Sequence, residues 1–304
     1  MAATHARRPR RRVDGVLLLD KPEGLSSNAA LQRTKRLYTA EKAGHTGTLD
    51  PLASGLLPIC FGEATKFAQA LLDAHKIYDA SVRFGIATST GDAEGEVIAE
   101  GPITFDRADF ERILPRFHGS ISQVPPRYAA LKFQGRNYYE YARAGVEIPR
   151  PSREVRIDSI NVRAWMPPIA ILRVACGKGT YIRVLAEDLA IAVGCCAHLF
   201  ALRRIASGPF SLDEAVTLHD LEAMDDEQRD AQLLPVHSPL LEMPSLSIDA
   251  DSARALGEGR VATAPAGAMG QYSCFDPHGG FLGVVRVDAG TMRAIRLVRR
   301  DVSP

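Results

Sequence analysis

The 304-residue sequence predicts an α+β fold in two units, and three observations carry that reading. Strand-patterned and helix-patterned segments are interspersed without the regular βαβ alternation of a parallel sheet. Hydrophobic residues make up 46% of the chain, enough for one sizeable core and a second, smaller one. Beyond a stretch bearing Pro235, Pro239 and Pro244, strand-like runs separated by turn sequences take over.

Gly15 to Asp20 is a short apolar run that reads as a strand, and Ser26 or Ser27 is placed to cap a helix running to about Tyr38. Ala43 to Gly55 holds Gly44, Gly47, Gly55 and Pro51, which is the chemistry of a loop. Leu57 to Phe61 reads as a buried strand and Glu63 to Asp73 as a helix. From Tyr78 to Phe84 the residues Tyr78, Ala80, Val82 and Phe84 alternate onto one face, as in a half-buried strand. Strands over Glu154 to Trp165 and Ile169 to Cys176 precede a helix from about Thr180 to Val193. The acidic segment Asp213 to Asp230 and the prolines after it read as the boundary. Past it, Tyr272 to Phe275, Phe281 to Val287 and Met292 to Val298 are strands separated by Pro277–Gly280 and by Ala289-Gly290. The expected division is a basic disordered tail over 1–12, a large unit over 13–240 and a small β-rich unit over 241–304.

Several classes are set aside. The longest apolar runs fall far short of the roughly 20 residues that span a bilayer. The arginine-rich start, with Arg7, Arg8, Arg10, Arg11 and Arg12, lacks a signal-peptide core. Five cysteines without a C-x-x-C pair indicate neither a disulfide framework nor a zinc site, and a reducing cytoplasm is the expected compartment. A net charge of +1 conceals strong polarity. Arg127 to Arg163 holds eight basic residues against four acids, interleaved with Tyr128, Phe133, Tyr138, Tyr139 and Tyr141, a mixture suited to looped RNA. Ser211 to Asp230 holds eight acids and one base, which masks that segment in the total.

The segment Gly44-His45-Thr46-Gly47-Thr48-Leu49-Asp50-Pro51 gathers backbone amides, two hydroxyls, an imidazole and a carboxylate, with Pro51 biasing Asp50 away from helical geometry. Read locally it is a reactive loop, a turn capped by Asp50, or a phosphate cradle, although no lysine follows the glycines as a Walker motif requires. The same segment resembles the signature of the TruB family of tRNA pseudouridine synthases. Four further segments agree in order: Asp20-Lys21-Pro22-Glu23-Gly24; Tyr78-Asp79-Ala80 leading to Gly91-Asp92-Ala93-Glu94-Gly95; Gly179-Thr180-Tyr181-Ile182-Arg183; and Leu202-Arg203-Arg204 with Gly208-Pro209-Phe210. The resemblance spans roughly Val13 to Ala215. Ser89, where an aspartate is common, and Gly177, where serine is frequent, depart from the pattern away from catalytic positions.

The resemblance implies a pseudouridine synthase catalytic domain with a mixed, mainly antiparallel sheet, followed by a PUA-like RNA-binding domain. It implies isomerisation of uridine at position 55 in the T loop of tRNA, without metal or organic cofactor, and no obligate protein partner is evident. Asp50 is then the catalytic carboxylate, acting at C1′ or adding to C6 of the base. Arg183 is expected to pair with Asp50, keeping it ionised and directed. The target base must leave its stack; Tyr78 is implied to contact it and help take the C5 proton, and His45 to fill the vacated place. Tyr181 and Leu202 are expected to line the uracil pocket and Lys21 to support it. A tRNA-folding chaperone is the competing binding-module reading.

Overall fold

The computed structural model describes residues 9–299. Its centre is a ten-stranded mixed sheet. The strands are β1 (Gly15–Lys21), β2 (Ala43–His45), β3 (Ala53–Phe61), β4 (Lys76–Phe84), β5 (Gly119–Gln123), β6 (Arg153–Met166), β7 (Ile169–Cys176), β8 (Ala197–Ser207), β9 (Phe210–Ser211) and β10 (Val216–Thr217). The main path runs β10-β1-β3-β8-β4-β7-β6-β5, with β2 paired to β3 and β9 to β8. Only β1–β10 and β3–β8 are parallel; the other pairs are antiparallel, as expected.

The central strands owe their place to their apolar sequences. β3 is buried along almost its whole length, as a strand covered on both faces must be. β4 alternates, burying Lys76, Tyr78, Ala80, Val82 and Phe84 on one face. A lysine and a tyrosine on the inward face of a core strand mark where packing gives way to chemistry. Helix α1 (Ser27–Leu37) starts where Ser26 accepts a hydrogen bond from the Ala29 amide at 3.1 Å. Helix α2 (Ile182–Ala192) buries Leu185, Ala186, Leu189 and Ala190 in the main core. Phe84, Phe105, Phe110 and Trp165 close that core at one end, with Phe84 ring centroids 5.1 to 5.8 Å from the other three.

The C-terminal unit is a five-stranded sheet of β11 (Ser245–Ser247), β12 (Ala262–Thr263), β13 (Gly270–Phe275), β14 (Phe281–Asp288) and β15 (Thr291–Leu297), ordered β11-β13-β14-β15-β12. Helix α3 (Ala250–Gly257) covers it, and Leu256, Cys274, Val285, Val287 and Met292 form its own core. Phe67, Leu240 and Val284 join the two units, and Phe67 meets Phe281 edge-on at 5.3 Å.

Four expectations change. The glycine-rich stretch is not all loop, because Ala43–His45 pairs with β3 and β3 begins at Ala53. Glu63 to Asp73 is a 3₁₀ turn, Gly62–Phe67, followed by an α-helix, Ala68–Asp73. The acidic segment, read as part of the boundary, packs on the large unit: in its helix Leu218–Ala223, Leu218 and Leu221 enter the main core, while the acids face outward. Of the tail expected to be disordered, residues 1–8 lie outside the described residues, and Arg11 is anchored. Its backbone bridges Ala40 and its guanidinium donates to Asp230. No helix among the described residues is long and apolar enough to cross a membrane.

Candidate active site

Asp50 sits on a loop braced from below. Buried Ser27 donates to the Leu49 carbonyl at 2.9 Å and accepts from the Leu49 amide at 2.7 Å, fixing the residue before the carboxylate. The Asp50 carbonyl accepts from the Ala53 amide, and the Pro51 carbonyl from Gly24, which ties the Asp20–Gly24 segment to the loop. Buried Arg204 holds the loop from β8, donating from Nη2 to the Gly47 carbonyl at 3.0 Å and from Nε to the Leu56 carbonyl at 2.6 Å. Two glycines permit this approach. A side chain at Gly47, where φ is +85°, would stand 3.2 Å from the Arg204 guanidinium, and a Cβ at Gly55 would lie 2.3 Å from the Arg204 carbonyl.

Arg183, in the first turn of α2, meets Asp50 as expected: Nη2 lies 3.0 Å from Oδ2. Its other nitrogen, Nη1, lies 3.4 Å from Oδ2 of Asp92, and the guanidinium also donates to the carbonyls of Thr90 at 3.1 Å and Tyr128 at 2.8 Å. The Arg183 side chain is 6% exposed, whereas that of Asp50 is 41% exposed, so the cation is a fixture and the carboxylate is presented. Asp92 is itself fixed, accepting from the Thr90 hydroxyl at 2.5 Å and the Glu94 amide at 3.1 Å. Burial pushes the Asp50 carboxyl above its ordinary range, Arg183 pulls it back most strongly, and Asp92 pushes up again.

The Asp50–Arg183 pair divides two adjoining cavities. The inner one, about 400 Å³, is lined by Tyr78, Tyr181, Leu202, Lys76 and Arg204. The outer one, about 650 Å³, is lined by His45, Thr90, Asp92, Glu94, Tyr139 and Arg143. Tyr78 points in from β4, and burial raises its hydroxyl pKa, keeping it a phenol at neutral pH. Tyr181 is held at the start of α2 by buried Gln123, whose side-chain oxygen accepts from the Tyr181 amide at 3.0 Å. His45 stands on β2 rather than in a loop. Its Nδ1 is buried without a partner among the described residues, and burial followed by the Arg204 charge lowers its pKa. Lys21 lines neither cavity. It is wholly buried, donates to the carbonyls of Pro22 and Leu25 at 2.8 and 2.6 Å, and burial lowers it to about 8.

Comparison with known proteins decides what this arrangement belongs to. The description "TruB family pseudouridylate synthase (N terminal domain)" matches residues 35–182, and "tRNA pseudouridylate synthase B C-terminal domain" matches residues 183–241. The chain is 54% identical over 304 residues to tRNA pseudouridine synthase B of Cupriavidus pinatubonensis, covering 96% of each. The chain belongs to the TruB family of pseudouridylate synthases. A relative of the same name from Azoarcus is 51% identical over 290 residues, covering 95% of this chain and 96% of its own. Among solved structures, one from a Cbf5–Nop10–Gar1 complex superposes with a TM-score of 0.70 at 27% identity, covering 90% of this chain and 78% of that one.

For this TruB-family chain, the structure brings six of the seven candidates to the two cavities and sets Lys21 beneath them. Five buried polar residues that build the site were not among the candidates: Ser27, Asp92, Gln123, Lys76 and Arg204. Lys76 carried a readable signal, because the alternation of β4 continues back one step from Tyr78 onto it. Gln123 carried none, since its partner is the backbone of a residue 58 positions away.

Proposed function

We propose that the chain isomerises uridine 55 in the T loop of tRNA, with Asp50 as the catalytic carboxylate and the inner cavity receiving the flipped uracil. The observation that supports this reading is the position of Asp50. It is the carboxylate at the junction of a recess with room for a nucleobase and a larger adjoining cavity, oriented by a guanidinium that is itself held at three further points. The tRNA substrate follows from relatives named tRNA pseudouridine synthase B at about half identity over nearly the whole chain.

The reaction cleaves N1–C1′, turns the uracil and joins C5 to C1′, with a proton lost from C5 and one gained at N1. Asp50, ionised, attacks or stabilises C1′, or adds to C6. Tyr78 enters as a phenol against the base, and the Arg204 charge beside it favours the phenolate if it passes a proton on. Tyr181 and Leu202 wall the uracil. His45, neutral and short of one hydrogen-bond partner, stands at the mouth where a vacated base position would lie. The basic and aromatic segment supplies Tyr139 and Arg143, whose guanidinium lies 5.5 Å from the tyrosine ring centroid.

The unit over 241–304 serves as a PUA-like RNA contact, the unit over 13–240 carries catalysis, and the enzyme works in the cytoplasm. Opening the T loop to reach the base makes a folding-chaperone role compatible with the same surface. The deciding experiment is tritium release from [5-³H]uridine tRNA by wild type and Asp50→Asn, with pseudouridine mapped in the product. Release from position 55 by wild type alone is expected; normal release by the variant rejects the assignment of Asp50.

A further inference from the structure

Two cations line the inner cavity, and only Arg204 has entered the account above, as a brace for the Asp50 loop and a neighbour of Tyr78. Lys76 is 5% exposed and Arg204 is 1% exposed, and both line the cavity that also holds Tyr78 and Asp50. Among the described residues, neither has a carboxylate within ion-pair distance, and the nearby Asp50 is already engaged by Arg183. Buried charges are ordinarily paired, because an unpaired one keeps its desolvation cost.

Here the compensation comes mainly from carbonyl dipoles, with the Tyr78 hydroxyl against Arg204 and the Asp73 carboxylate at longer range from Lys76. Lys76 Nζ donates to the carbonyls of Leu71, Leu72 and Ala74 at 2.9, 2.7 and 2.6 Å, and Arg204 to those of Leu56 and Gly47. These bonds satisfy donors but leave the net charge, and the two cations are near enough to oppose each other. They enter from the same side of adjacent strands, with Arg204 directly opposite Tyr78 in the β4–β8 register. A scaffold that only needed these carbonyls capped would not need two positive charges facing one cavity.

We propose that Lys76 and Arg204 form a positively charged wall that stabilises the negative charge the uracil ring acquires during the reaction. When N1–C1′ breaks, its electron pair leaves with N1 and spreads to the ring oxygens. C5 then attacks C1′, its proton departs, and N1 regains one, so no external reagent is needed. If Asp50 adds to C6 instead, charge still develops on O4, and the wall serves either route. The inference rests on the inner cavity receiving the target uridine. Lys76, with all three protons committed to carbonyls, acts through its field rather than by contact.

The test uses full-length wild type, Lys76→Met and Lys76→Arg, with single-turnover rates at saturating enzyme on tRNA carrying uridine or 5-fluorouridine, read by nucleoside chromatography as loss of the starting nucleoside. With fluorine at C5 there is no proton to release once the C5–C1′ bond has formed, and the ring is completed by water adding across C6 and N1. Fluorine at C5 stabilises a ring anion and so reduces the need for the wall. Lys76→Met should slow uridine turnover about 10- to 100-fold with tRNA Kd within about threefold, slow 5-fluorouridine turnover less, and be rescued in large part by Lys76→Arg. The pH profile gives a second readout. Burial lowers Lys76 to about 8, so the wild-type rate should fall as pH rises through that value, and Lys76→Met should remove the fall. The charged or titratable groups around Lys76 are Arg204 from β8, Cys176 from β7, held as a thiol near 11, and the mutually paired Asp73 and Lys178.

An unchanged uridine rate in folded Lys76→Met, equal losses on both substrates, or persistence of the alkaline fall, which would point to Lys21, overturns the proposal. If Lys76→Met does not fold, the wild-type profile decides: a steeper alkaline fall for uridine than for 5-fluorouridine supports the wall, and parallel falls reject it. Asp50→Asn run alongside keeps the two readings separable, because activity in that variant would count against the site itself.

Discussion

The two cavities on either side of the Asp50–Arg183 pair are built differently. The inner one is walled mainly by side chains from β4 and β8 and by the start of α2, with Arg204 and Tyr181 braced by hydrogen bonds, and Ala129–Leu131 complete it. The outer one is closed by short elements between residues 128 and 143, where Lys132–Phe133 pairs with Arg136–Asn137 and a six-residue helix, Tyr138–Arg143, follows. A reacting atom tolerates little displacement, so its neighbours sit on regular elements, while a surface that receives a folded RNA gains from adaptable segments. The contrast says where substitutions should cost rate and where they should cost affinity.

The largest effect is expected at the divide itself. Asp50→Asn should abolish pseudouridine formation while leaving tRNA Kd within about tenfold, because the carboxylate serves chemistry rather than phosphate contact. Single-turnover measurement with a parallel filter-binding titration would show it, and a comparable loss of affinity would erase the division between the cavities.

Arg183→Lys comes next. A lysine keeps the charge but cannot span Asp50, Asp92 and two carbonyls at once, so turnover should fall by about 10²-fold. The pH profile sharpens the point. Burial raises the Asp50 pKa and Arg183 lowers it, so weakening their contact raises it further. The proposed mechanism uses the ionised form, so activity in the variant should fall away at a higher pH than in wild type as the solution is acidified.

How far the sequence revealed this contrast differs between its sides. The loop carrying Asp50, the strand carrying Tyr78 and the helix carrying Arg183 were legible because each is local: a run of motif residues, an alternation, a helix start. What was not legible depended on long-range closure. The strand Ala43–His45 was hidden by Gly44 and exists because β3 offers it an edge. The acidic segment looked like a boundary because eight acids outweigh two leucines in any average, yet Leu218 and Leu221, three apart on one helix face, decide its place. Arg204 was read only as part of a closing motif. Its burial follows from the parallel pairing of β8 with β3, which no local pattern announces.

On the outer side, Tyr139→Ala with Arg143→Ala should raise tRNA Kd several-fold and leave the single-turnover rate at saturating enzyme within about twofold. A large drop in that rate would mean that the substitutions displace Ala129–Leu131, which also line the inner cavity, and the comparison would have to be redrawn.

The smallest effect on rate concerns the C-terminal sheet. Arg286 on β14 and Arg293 on β15 are register partners, both exposed, with Arg296 nearby on the same hairpin. Like charges directly opposite on a strand pair are mildly destabilising, and among the described residues none of these arginines forms an ion pair with a carboxylate. An anionic partner would turn that cost into a gain, which fits a phosphate backbone. Deleting the whole unit is a poor test, because Phe67 and Leu240 pack against Val284 and Phe281 and would be laid bare. Substituting Arg286→Gln and Arg293→Gln in the full chain removes charge without that damage. If each arginine neutralises one phosphate, the slope of log Kd against log salt should drop by about one per arginine, with affinity at low salt reduced by roughly a factor of ten and the chemical step untouched. An unchanged slope would make the arginines ordinary solvated charges, and a higher melting temperature in the double variant would then show that their mutual repulsion is uncompensated in the free protein.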